Sequence, residues 1–473
     1  MTRTPSVLVV SSFFPPDAAV GGQRVAGLCR YLADRGWRVT VVTMRLGAEA
    51  RIDPELAAVV PSSIKVLRSA APDIPALAAR VLRILRRGPR KPARAERSWS
   101  SDSSSGASRP ERGVLRHVVD WASWWLHIPD GLSGWLAPAT YEGLREAMRR
   151  RPDVVFSSAP AWTGHLVGAC LSRVLGVPLV VDFRDPWCGS AFHSIPYAAH
   201  RRLNAALERE VVRRACRITC AWDGIRRHLQ ARYPRRSEDL CTILNGYDAE
   251  EMDAVEPVRL DRNRCVFLHV GTFYGPRSPQ PLLSALGHLK DVAPQVAARS
   301  YVVFAGAPSY NGLDLKDLCC SYNVGENVRL CPPLPHRDAL ALLKGADVAL
   351  LFGQSGSEAL ASIPAKAYEY VGAGKPVLTI GAGAEVCKVI RQGGCQVVQA
   401  HSGSSEDVAE ALGRMLWAWQ SGALSQGDVK RRAGFTRARM AAALSEQLWG
   451  AIGFKRCGSM VPPARSEGAQ RWR

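Results

Sequence analysis

Residues 152–187 read PDVVFSSAPAWTGHLVGACLSRVLGVPLVVDFRDPW. An apolar run, DVVFSSA, precedes a stretch with helical spacing, TGHLVGACLSRVLG, and a second apolar run, LVVDFRD, follows it. Strand, helix and strand in succession is the unit of a parallel sheet, because parallel strands need a long crossover connection. The unit recurs on both sides. SVLVVSS, WRVTVVTM and RITCAW are further strand-like runs in the first half, with QRVAGLCRYLADRG as a helix among them. The same grammar restarts at CVFLHVG and continues through YVVFAG, NVRLCPP, ADVALLFG, KPVLTI and CQVVQ. This pattern predicts an α/β chain of two doubly wound, Rossmann-like domains. An acidic, Pro-containing connector, AEEMDAVEPVRLDRN, gives domains over residues 1–255 and 256–455. The basic tail, residues 456–473, is rich in Pro, Gly and Ser and is predicted to be disordered.

The 473 residues exceed one ordinary core, at roughly 150 residues per domain. No apolar run reaches the length of about 18 residues needed to span a membrane. SVLVVSSFF is followed at once by Pro15 and Pro16 and reads as a first buried strand, not as a signal peptide. The 13 cysteines show no paired zinc spacing, which predicts reduced, mostly buried thiols and a cytoplasmic chain. The formal charge of +20 points to phosphate in some form: nucleic acid, anionic lipid or phosphorylated small molecules. Much of that charge lies in an Arg-rich, then Ser-rich insertion, residues 80–113, which predicts a mobile loop. Its amphipathic start, IPALAARVLRILRR, fits peripheral association with an anionic membrane surface as well as it fits mere solvated charge. WASWWLHIPDGLSGW, residues 121–135, either packs over the first sheet or rests at a lipid interface. No nucleic-acid partner is expected, for no stacking pattern or binding motif accompanies the charge.

Chemistry in doubly wound sheets gathers in loops after the carboxyl ends of the strands. After the first strand, Gly21 and Gly22 stand directly before a helix, so their N–H groups, with Arg24, offer an anion loop or else a plain turn. In LVVDFRDPW, Asp182, Arg184 and Asp185 are costly at an apolar strand end unless they face water or pair with each other. Asp185 is then an acid, a base or an acceptor ligand; the alternative is a brace with Arg184. His165 lies in the first turn of a helix, catalytic or structural. In the second half, Gly271 ends a strand and Arg277 shortly precedes a helix, a spacing suited to a diphosphate. SIPAKAYEYVGAGKPVL, residues 362–378, opens a helix from a Gly/Ser loop and carries Lys366 and Glu369, either a solvated ion pair or a ligand set.

Taken in order, FFPPDAAVGGQRVAGLCRYLADRGWRVTVVT, SSAPAWTGH, VVDFRDPW, LNGYDAEEMD, LHVGTFYGPRSPQPLLSAL and IPAKAYEYVGAGKPVL resemble the family 4 retaining glycosyltransferases over nearly the whole chain. That resemblance implies the GT-B architecture, two Rossmann-like domains facing a central cleft. It also implies transfer of a sugar from a nucleotide diphosphate donor to a hydroxyl of a glycan, lipid-linked or small-molecule acceptor, with no cofactor and no metal. The Gly21–Gly22 loop looks like the family's phosphate and acceptor loop. Arg277 matches the cation that neutralises the diphosphate, and Glu369 the second acid of the Glu-x7-Glu motif, which holds the nucleotide ribose. Gly271, Ser362 and Lys366 fall in the same donor set. The first acid is missing: Ala361 stands there, with Glu358 as a nearby substitute, and Thr272 replaces a common Arg. Asp185 is the choice for acceptor positioning, with His165 second. Asn245-Gly246 resembles an interdomain turn. A nucleotide-sugar epimerase and a catalytically silent scaffold share this architecture and remain alternatives.

Overall fold

The computed structural model describes residues 4–17, 19–47, 50, 52–74, 76–77, 125–189, 195–275, 277–353 and 363–456. The insertion at 80–113, the first four residues of the Trp-rich segment (121–124), the loop with Glu358, Ala361 and Ser362, and the tail at 457–473 lie outside these residues. Two compact units result, one of the described residues up to Ile243 together with those from Ala441 on, the other Leu244–Met440.

In the first unit the strands are β1 (Ser6–Ser11), β2 (Arg38–Met44), β3 (Lys65–Ser69), β4 (Val154–Ser158), β5 (Leu179–Phe183), β6 (Arg217–Cys220) and β7 (Leu240–Thr242). They form one sheet in the order β3-β2-β1-β4-β5-β6-β7, and every pair is parallel. Helices cover both faces, so central strands are apolar throughout: Val7, Leu8, Val9 and Val10 of β1 are all buried. The helix Thr163–Leu175 has no side-chain cap of its own. Asp130 supplies one from a distance, accepting 2.9 Å from the Thr163 N–H and 2.7 Å from its hydroxyl. Trp135 is fully buried, its Nε1–H donating to Ser69 Oγ at 2.8 Å, so this end of the Trp-rich segment packs into the unit.

The second unit holds β8 (Cys265–Val270), β9 (Ser300–Ala305), the hairpin β10 (Ser309–Tyr310) and β11 (Leu313–Asp314), then β12 (Val328–Cys331), β13 (Val348–Phe352), β14 (Val377–Ile380) and β15 (Val397–Ala400). Its main sheet runs β12-β9-β8-β13-β14-β15, all parallel. Counted within each unit, both sheets have the doubly wound order 3-2-1-4-5-6, the first with one strand more. Tyr247 joins this unit: its N–H donates to Phe435 O at 3.0 Å and its carbonyl accepts from Arg437 N at 2.8 Å.

The division therefore falls at Ile243, ahead of the acidic connector, and not at residue 255. The connector is not a free linker, because Asp248 caps the helix Ala249–Asp253 and its Met252 is buried in the second unit. The C-terminal helix Arg437–Arg456 also departs from expectation. From Ala441 on it belongs to the first unit, where Trp37 Nε1–H donates to Ser445 Oγ at 2.9 Å and the Trp37 and Trp449 rings lie 5.3 Å apart. Among the described residues no helix is long and apolar enough to cross a membrane.

Candidate active site

In the second unit, β8 and β9 end side by side at Val270 and Ala305, and the backbone turns away at Gly271 and Gly306. Gly271 has φ 122°, outside the range of L side chains, and its N–H donates to Ala305 O at 2.7 Å. A Cβ on Gly271 would lie 2.1 Å from Lys366 Nζ, so the ammonium sits over bare backbone at the strand end. Lys366 comes from the first turn of the helix Ala365–Gly372, which follows β13. Burial, and after it the neighbouring Arg277, lower its pKa to about 8, with Glu369 offsetting part of the shift. Arg277 lies half-buried, donates to the Tyr274 hydroxyl and stacks 4.9 Å from that ring's centroid. Two cations and one carboxylate thus share one strand end. The like-charge pair disfavours itself, and a bound diphosphate would relieve it through charge-assisted hydrogen bonds.

Two histidines of this site read from sequence only as parts of their elements. His269, buried in β8, faces Leu350 O through Nδ1 at 3.1 Å, which fixes Nδ1 as the protonated nitrogen. Burial first, then Lys366 and Arg277, hold it far below its usual pKa, while the Leu350 carbonyl acts the other way, so the ring stays neutral beneath the cations. Phe273, Phe304 and Phe352 surround it. His336 opens the helix His336–Gly345; its bond to Glu251, at 3.5 Å, raises its pKa against burial, and Glu369 adds to the rise. A sharp check follows from Gly271. Gly271→Ala must displace Lys366 and adopt a forbidden φ, so affinity for a nucleoside diphosphate, if this strand end binds one, should fall by about tenfold or more, at about 1.4 kcal/mol per tenfold, as titration calorimetry would measure.

In the first unit the structure redistributes the expected set. The helix Val20–Asp34 begins one residue before Gly21, so both glycines lie in its first turn and not ahead of it. Their missing side chains let the helix approach the chain after β1: a Cβ on Gly21 would lie 2.9 Å from the Phe13 ring, and one on Gly22 3.3 Å from Phe13 backbone. Arg24 is correspondingly not an anion ligand of a loop. It is buried and donates to Asp182 through Nε at 3.2 Å and Nη2 at 3.1 Å, and from Nη2 to Ile243 O at 2.8 Å. Asp182 also accepts from Ser158 Oγ at 2.8 Å and Thr219 Oγ1 at 2.7 Å. Arg184 is half-buried and donates to Gly21 O. Asp185 is half-buried beside it; burial pushes its carboxyl above the usual range and Arg184 opposes that.

His165 is withdrawn from the acceptor-side set. It is fully buried behind the strand ends, Nδ1 lying 3.0 Å from Ser157 Oγ and its ring 4.9 Å from that of Phe183. Burial drives its pKa down to about 3, with Asp182 opposing, so it is a neutral core group. Its place in the helix was legible; its inward aim depended on packing.

Residues 21–246 match the family model of the glycosyl transferase 4-like domain. Over that stretch, just under half of its length, the chain is similar to this glycosyltransferase family. Its relatives include two D-inositol 3-phosphate glycosyltransferases. That of Streptosporangium roseum is 29% identical over 41% of this chain and 44% of its own length. That of Nocardiopsis dassonvillei is 25% identical over 61% of this chain and 71% of its own. The match therefore spans less than half of the first relative. Among solved structures, HepE of Anabaena in complex with UDP aligns over 94% of this chain and 100% of its own, with TM-score 0.60 and 14% identity. A glycosyltransferase of Rickettsia africae aligns over 96% and 99%, with TM-score 0.58 and 12% identity. These neighbours establish the GT-B fold for this chain.

Proposed function

We propose that the chain is a glycosyltransferase that binds a nucleotide diphosphate sugar in its second unit and transfers the sugar to an acceptor hydroxyl. The observation that carries this reading is Lys366 lying over the bare backbone of Gly271, with the charges of Arg277 and Glu369 acting on it. Departure of a nucleoside diphosphate develops negative charge on the leaving oxygens, and two cations held partly buried beside it would stabilise that charge. Glu369 suits the ribose hydroxyls as an acceptor. The charge stabilisation a metal ion would bring is within reach of these two side chains, and we read the reaction as metal-independent. Transfer with retention fits this arrangement, because the departing diphosphate can itself take the acceptor proton. Asp185 is our assignment for holding the acceptor hydroxyl, its raised pKa making it the stronger base. The acceptor class is a glycan, a lipid-linked saccharide or a small molecule. The names of the relatives make inositol 3-phosphate the first candidate to try.

A thermal-shift and turnover screen over nucleotide sugars tests the reading. The cognate donor at a hundred times its Kd should stabilise the fold by about 2.7 kcal/mol, and release of nucleoside diphosphate should rise when the acceptor is added. A donor that binds and changes its own sugar without acceptor would instead identify an epimerase. Absence of any stabilisation by any nucleotide sugar would leave a silent scaffold and overturn the proposal.

A further inference from the structure

β1, β2 and β3 start at Ser6, Arg38 and Lys65, which marks the amino edge of the first sheet, the end opposite to Asp182 and Asp185. At this edge lies a cavity of about 340 Å³ whose polar lining includes Arg38, Ser63, Lys65, Glu146, Arg149 and Arg150. Its floor is aliphatic, from β1, β2 and the helix Leu136–Arg149. Four cations thus face one carboxylate. Glu146, 8% exposed, accepts from Lys65 Nζ at 2.6 Å and lies 4.0 Å from Arg149 Nη1, so it serves two of the four. Arg149 has a second reason for its place, in the last turn of its helix where the dipole favours a cation. Arg38 and Arg150 have neither reason in full: among the described residues no hydrogen-bond or ion-pair partner meets either side chain. Like charges around a shared concavity repel, and a multivalent anion is the ligand that reverses the sign of every term at once. Guanidinium forks suit phosphate oxygens, the aliphatic floor suits a carbon skeleton, and the volume suits a small phosphorylated molecule.

We propose that this cavity is a second ligand site, in the unit that does not hold the donor site, for a phosphate-bearing group. The same chemistry comes from a free phosphorylated metabolite or from an anionic lipid headgroup. Beside the cavity the helix Leu136–Arg149 exposes Tyr141 and Met148, seven residues apart on one face, with Arg145 between them.

The full chain carrying Lys366→Ala and Arg277→Ala, which removes the donor-side cations, is titrated with inorganic pyrophosphate by calorimetry. In parallel it is sedimented with vesicles of phosphatidylcholine, with or without phosphatidic acid. Saturable binding is expected in at least one arm, weakening about tenfold or more when Arg38→Gln and Arg150→Gln are added, and weakening with salt. Pyrophosphate binding alone identifies a soluble ligand; vesicle binding alone identifies a headgroup at a membrane surface. An equal loss from Arg173→Gln with Arg209→Gln, exposed arginines outside the cavity, would reduce the effect to net charge and overturn the site. So would absence of saturable binding in both arms. Thermal unfolding of each variant checks that the fold is retained.

Discussion

Asp182→Ala destabilises the first unit by about 3–5 kcal/mol, the range for breaking a buried ion pair from one side. Asp182 and Arg24 are both almost fully buried, with side-chain exposures of 1% and 2%. The alanine would leave the Arg24 guanidinium without its carboxylate and would also orphan the Ser158 and Thr219 hydroxyls. Four pieces of chain lose their common anchor: the ends of β4, β5 and β6, and the helix Val20–Asp34. Denaturant titration measures the loss, and a paired Arg24→Met, Asp182→Leu variant should recover much of it. The same network governs acid stability. Burial pushes the Asp182 carboxyl up, but Arg24, then Thr219 and Ser158, outweigh it and hold it below the usual carboxylate range. A carboxylate depressed in the folded state contributes stability above its unfolded pKa, near 3.9, and that stability is lost as pH falls through the lower folded value. The wild type should therefore lose stability below about pH 4 more steeply than the paired variant.

Removal of Lys366 has the largest effect on activity. On the proposed donor-site reading, Lys366→Ala would take one of two cations from the developing diphosphate, and donor kcat/KM should fall by about 10²–10³-fold, the scale for deleting one fixed electrostatic contact. A pH profile separates this role from packing. In the free protein the folded pKa is about 8, depressed chiefly by burial and then by Arg277. Its contribution to folding stability is complete above the unfolded lysine value, near 10.4, and is lost as pH falls through about 8. Donor binding has the opposite sign, because the diphosphate selects the ammonium. Affinity for donor should decline as pH rises through about 8 while the unliganded protein becomes more stable. Both limbs should vanish in Lys366→Met. A decline in affinity that persists there would assign the titration to another group.

The sheets were readable because parallel strands covered on both faces must be continuous apolar runs, and eleven such runs became strands. β3, KVLRS, and β7, LCT, escaped notice because edge strands are short and carry polar residues. The hairpin of β10 and β11 has only two residues on each side. That Arg277, Lys366 and Glu369 come together at one strand end was legible because each sits at a fixed offset from a strand or helix end. His269 was not, since a histidine inside an apolar strand gives no sign of which face it takes. The first unit was harder for a similar reason. Arg24 and Asp182 lie 158 residues apart, and no local pattern reveals that one neutralises the other. Three charges at the end of β5 announced a cost, and only the fold shows that the partner comes from the first helix and not from Arg184.

The return of the C-terminal helix to the first unit has a consequence for how the protein is made. A chain leaves the ribosome in order, and domains that are contiguous in sequence complete themselves as they emerge. Here Trp37 obtains Ser445 and Trp449 only after all of the second unit has been produced. The first-born unit is thus the last to be finished. Until then its flank at Trp37 stays uncovered, and a nascent chain released early carries an open apolar surface where the mature protein has a closed one.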